Sequence, residues 1–137
     1  MRVFLDTNVL VSAFASRGLC ADVFEIVLLE HDLVVGKNVL RELQKALRRK
    51  IKLPAADAAE VVEFLQSEAI AVIAEVAHVN AKIDPADALV LGEAVAGSAD
   101  VFVTGDAALL RLGATAPLEI SSPRRFWEML RAEGASE

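Results

Sequence analysis

Short apolar runs alternate with one-sided helical stretches along the whole chain. Val3-Phe4-Leu5 and Val101-Phe102-Val103 are unbroken apolar triplets, the pattern of strands covered on both faces. They predict strands over residues 2–5 and 101–103. Shorter β-like runs fall at 32–35, 70–76 and 118–120. Between them the apolar spacing turns helical, over 9–15, 20–29 and 38–48. In the last of these, Val39, Leu40, Leu43, Ala46 and Leu47 share one face. Pro54 suits the first turn of a helix running to 66. Asp84-Pro85 reads as a cap and first-turn pair opening a helix to 96. A short helix ends near Gly113, and Ser122-Pro123 opens a final one carrying Phe126, Trp127 and Leu130. Strands that alternate with helices predict an α/β fold with a mainly parallel central sheet, built as a single domain over residues 1–137.

Composition narrows the class. The chain has 137 residues, 55% hydrophobic and 25% charged, which suits a globular domain with a sizeable core. The longest apolar stretch, 69–77, is broken by charge and too short to span a bilayer. The start of the chain shows no basic segment, apolar core and small-residue cleavage site in series, so no membrane association and a cytoplasmic location are expected. The lone Cys20 cannot form an internal disulfide and reads as a small core residue.

Net charge is −6, which argues against nucleic-acid binding by electrostatics alone. One basic run stands out: Lys45, Arg48, Arg49, Lys50 and Lys52. A solvated helix end, where cations suit the macrodipole, accounts for it. A phosphate-guiding role for Arg48, Arg49 and Lys52 stands beside that reading.

Chemistry concentrates in four acids. Asp6 and Asp106 each follow a buried strand, where open α/β sheets place their ligand crevice. Glu42 falls on the flank of its helix's apolar stripe, and Asp87 lies in the first turn of its helix. Each has an ordinary structural role available: helix cap for Asp6 and Asp106, solvated helix residue for Glu42, dipole partner for Asp87. Together they would form a cluster of negative charge, unfavourable alone and suited to a hard divalent cation. That chemistry points to metal-dependent phosphodiester cleavage. Asn8 and Thr104 could add orienting hydrogen bonds. His31 and His78 are isolated, no Cys/His spacing suggests zinc, and no Gly-rich phosphate loop is present.

The segments Leu5-Asp6-Thr7-Asn8-Val9-Leu10, Leu40-Arg41-Glu42-Leu43, Asp84-Pro85-Ala86-Asp87 and Val103-Thr104-Gly105-Asp106 resemble, in order and spacing, the motifs of PIN-domain nucleases. The likeness covers essentially the whole chain and is nearest to bacterial single-domain PIN toxins of toxin–antitoxin pairs, the VapC-like group. The resemblance implies a three-layer α/β/α sandwich. It implies a site of Asp6, Glu42, Asp87 and Asp106, supported by Asn8 and Thr104, that binds Mg2+ or Mn2+ and cleaves RNA. Asp6 and Asp106 would be the direct metal ligands. It further implies a homodimer and a cognate antitoxin protein as partner. The chain departs from its relatives at Ala86, Ala88 and Ala108, where further acids often stand, which leaves fewer ligands for a second metal.

Two rivals remain at the level of sequence. A catalytically weak PIN fold would only bind RNA or protein. A haloacid-dehalogenase-type phosphotransferase also places an Asp after strand one, but has an acid where Asn8 stands here.

Overall fold

The apolar triplets do become the centre of a sheet. In the computed structural model, which describes residues 1–135, β1 (Arg2–Leu5) lies between β2 (Asp32–Gly36) and β4 (Val101–Val103). β3 (Ala71–Ile73) and β5 (Glu119–Ser121) complete the order β3-β2-β1-β4-β5. All four strand pairs are parallel. Val3, Phe4, Leu5, Val101, Phe102 and Val103 are all buried, and the Phe4 and Phe102 rings stack with centroids 5.5 Å apart.

The helices are α1 (Thr7–Ala15), α2 (Leu19–Glu30), α3 (Lys37–Arg49), α4 (Ala55–Glu68), α5 (Pro85–Ala96), α6 (Ala107–Leu110) and α7 (Pro123–Ala135). β1, β2 and β3 step in one direction across the sheet, and the chain then returns past β1 to β4 and β5. Right-handed crossovers therefore place α5 on the face opposite α1–α4, giving the three-layer α/β/α sandwich. The reversal beside β1 is the switch point, and the crevice of such sheets opens there, beyond the carboxyl ends of β1 and β4.

The structure moves several expected boundaries. α1 begins at Thr7 rather than at 9, because Asp6 caps it from the strand end through the Thr7 amide. β3 stops at Ile73 instead of reaching 76. Its last pair is Gly36 with Ile73, and β2 ends there because Lys37 opens α3. Beyond that point the Ala77 amide bonds to the Gly92 carbonyl of α5. The stretch read as one helix ending near Gly113 is the four-residue α6, followed by a 3-10 turn over Gly113–Thr115. Register with β4 sets β5 one residue later than expected. Phe126 and Leu130 of α7 reach the core, whereas Trp127 and Cys20 pack partly buried at its margin. No helix among the described residues is long and apolar enough to cross a membrane.

Candidate active site

Asp6 is bound into the sheet by its own backbone, whose amide donates to the Val103 carbonyl at 2.9 Å. The residue is 6% exposed, and its carboxylate accepts three further bonds. Oδ1 takes the Thr7 amide at 2.8 Å, while Oδ2 takes the Thr104 hydroxyl at 2.7 Å and Asn8 Nδ2 at 3.1 Å. Thr104 is fully buried, and its hydroxyl oxygen also accepts the Asp106 amide at 3.0 Å. Asn8 Oδ1 accepts the Gly105 amide at 2.9 Å. Asn8 in the first turn of α1 and Thr104 just after β4 thus tie the Asp6 and Asp106 turns together. A Cβ at position 105 would sit 3.3 Å from Asn8 Oδ1, so glycine suits this close approach.

Asp106 caps α6 by accepting the Ala108 amide on Oδ1 at 2.8 Å. Asp84 caps α5 through the Ala86 amide, which leaves Asp87, one turn in, without that duty. Glu42, on the flank of α3, accepts the Thr7 hydroxyl on Oε2 at 2.8 Å. Nothing in the pattern of the chain singles out Thr7, because its bond to Glu42 spans 35 positions and exists only in the fold.

Asp6, Glu42, Asp87 and Asp106 line one crevice of about 330 Å³, at the lower end of the range for ligand sites, with Asn8 and Lys50 also on its wall. Thr104 lies beneath it. Burial, and after it mutual repulsion, shifts the acidities. Burial pushes the Asp87 carboxyl up to about 6, helped by the charges of Asp106, Asp6, Asp84 and Glu42. Burial also raises Asp6, and Glu42 and Asp106 add to the shift, while the bonds from Thr104 and Thr7 oppose it.

An all-carboxylate, all-oxygen donor set fits a hard divalent ion such as Mg2+ or Mn2+ and fits no soft metal. The acids share a crevice without closing on one point: among the described residues, no three His, Cys, Asp or Glu side chains are gathered tightly enough to hold an ion.

The basic run divides. Lys45, Arg49 and Lys50 line a groove that shares Thr7, Glu42 and Ala46 with the crevice. Arg48 and Lys52, expected beside Arg49 on a nucleic-acid path, line neither. The Arg48 guanidinium donates to the Leu53 carbonyl at 3.0 Å, and Lys52 sits in the turn after α3 with φ of 60°. Lys50 takes the place at the crevice that the charge pattern alone could not assign.

Comparison with known proteins bears on the same residues. A family model described as PIN domain matches residues 2–108. A chain of VapBC2 from Rickettsia felis, crystallised bound to a DNA fragment from their promoter, has a similar fold. Its TM-score is 0.63 at 18% identity, over 89% of this chain and 98% of that one. Comparison with curated proteins finds no match.

Proposed function

The chain belongs to the PIN-domain family, and from that premise we propose that it is a divalent-metal-dependent endoribonuclease, the toxin of a toxin–antitoxin pair. The observation that carries the reading is the meeting of Asp6, Glu42, Asp87 and Asp106 on one crevice at the switch point of the sheet. Fold likeness to VapBC2 supports the toxin–antitoxin setting and with it a cognate antitoxin as partner; a homodimer is part of the same proposal and rests on the family resemblance alone.

In this reading Asp6 and Asp106, on rigid strand ends, hold Mg2+ or Mn2+, and Glu42 and Asp87 complete the site or hold a second ion. The ion, when bound, supplies Lewis acidity that lowers the pKa of water and offsets charge on the phosphoryl oxygens. The chain's own work is positional. Asn8 and Thr104 fix the rotamer of Asp6, and Thr7 fixes Glu42. Lys45, Arg49 and Lys50 attract the RNA backbone along the groove and bring one phosphodiester over the acids. The proposed reaction is hydrolysis: a water oxygen bonds to phosphorus as the P–O ester bond opposite it breaks, the water loses a proton to solvent, and the leaving alkoxide takes one up.

A second reading, an RNA- or protein-binding PIN fold without strong catalysis, is favoured by Ala86, Ala88 and Ala108, which leave fewer carboxylates at the crevice. The phosphotransferase loses ground because Asn8 is committed to Gly105 and Asp6, and has no carboxyl to act as general acid.

The deciding experiment is cleavage of structured and unstructured RNA with Mn2+ or Mg2+, comparing the wild type, Asp6→Asn and an EDTA control. Metal-dependent cleavage lost in the variant is expected. Metal binding without cleavage by the wild type would support the binding module instead.

A further inference from the structure

α3, which carries Glu42, starts without a cap of its own. Its N-cap is Gly36, with no side chain, and its first turn holds no acid. The missing acceptor comes from α5. Glu93, fully buried, accepts the Asn38 amide at 2.7 Å and Asn38 Nδ2 at 3.3 Å, both on Oε2, across 55 positions of sequence. Its other oxygen, Oε1, is buried with no hydrogen-bond partner among the described residues. A Cβ at position 36 would lie 2.2 Å from that oxygen, so only glycine allows the approach.

A serine or aspartate at position 36 would cap α3 locally without burying a charge. The remote arrangement adds something a local cap does not: it ties α3 to α5. Asn38 and Glu42 are one turn apart on the same face of α3. Asp87 lies in the first turn of the helix that carries Glu93.

We propose that Glu93 is a positioning residue, a buried tie between α5 and α3 that sets Glu42 against Asp87 across the crevice. The value of that spacing to catalysis rests on the nuclease reading; the tie itself does not.

Its test uses the metal-free protein. Spin labels on Gln44 of α3 and Ala96 of α5, in a Cys20→Ser background, report the spacing of the two helices. Amide exchange reports the cap. Glu93→Ala is expected to broaden the label distance distribution and to speed exchange at Asn38 about tenfold, the equivalent of a lost cap. Gly36→Ser/Glu93→Ala, with a serine in the vacated space, is expected to restore slow exchange while the distance stays broad. Glu93→Gln, which keeps an acceptor and the shape, is expected to keep the distance narrow. An unchanged distance distribution in Glu93→Ala overturns the proposal, and so does full recovery of the narrow distance in the double variant. If the wild type cleaves RNA, Glu93→Ala lowers kcat with little change in KM. If it does not, the nuclease reading fails and the distance and exchange results still decide the role of Glu93.

Discussion

At Asp6 one carboxylate does two jobs that look like competitors. It caps α1 through Oδ1 and stands on the crevice wall, with Thr104 and Asn8 holding Oδ2. Thr104 is therefore the residue whose loss strikes fold and site together. Thr104→Val removes the bond to Asp6 and the acceptor for the Asp106 amide at once. It is expected to cost about 1–3 kcal/mol in unfolding free energy and roughly 10–100-fold in metal affinity or cleavage rate; chemical denaturation and Mn2+ titration measure the two. Asp87 makes a pH prediction. Its carboxyl is raised to about 6 in the fold, so the native state binds the proton more tightly than the unfolded chain does. Stability from this group is full below the ordinary carboxylate range and is lost as pH rises through about 6. Asp87→Asn should flatten that fall and raise the melting temperature of the metal-free protein at pH 7. An unaltered pH profile of melting would contradict the raised pKa assigned to Asp87.

At the scale of elements, α3 shows why a helix's charge pattern is not enough to place its side chains. The end of α3 is basic all round, yet only the groove side, with Lys45, Arg49 and Lys50, borders the acids. Arg48 is turned to the Leu53 carbonyl. Arg49→Glu/Lys50→Glu is expected to weaken RNA affinity and to reduce the salt slope by about 0.7 for each phosphate that is no longer neutralised, the single-strand value. Arg48→Glu/Lys52→Glu should change the slope far less. Equal effects from both pairs, measured by binding across a salt series, would remove the groove from the substrate path.

For the whole molecule, a net charge of −6 and a crevice with four acids make the metal-free state electrostatically uncomfortable. A divalent ion that binds only the folded state should stabilise it by about 2.7 kcal/mol at roughly a hundredfold excess over Kd. Thermal unfolding with Mn2+ and with EDTA checks this. In Asp6→Asn/Asp106→Asn the Mn2+ shift in melting temperature should vanish, whatever the melting temperature of the metal-free variant.

Which segments form strands and helices is readable from local spacing, because buried parallel strands are apolar without interruption and Asp84-Pro85 or Ser122-Pro123 mark helix starts by backbone chemistry. The four acids are readable too, since two follow buried strands and two lie on helices between them. The boundaries of β3 and β5 are not, because they depend on where a neighbouring strand ends. Nor is the Thr7–Glu42 bond, or the choice of Lys50 over Arg48 and Lys52, since each is a matter of side-chain direction after packing. Glu93 is the least legible. In the chain it is one acid inside an apolar helix, and only the meeting of α5 with Gly36 and Asn38 turns it into a partner for another helix. Local pattern determined the elements and the acidic side chains they carry. The tertiary structure alone decided which atoms meet, because bonds across 35 to 98 positions leave no periodic trace in the sequence.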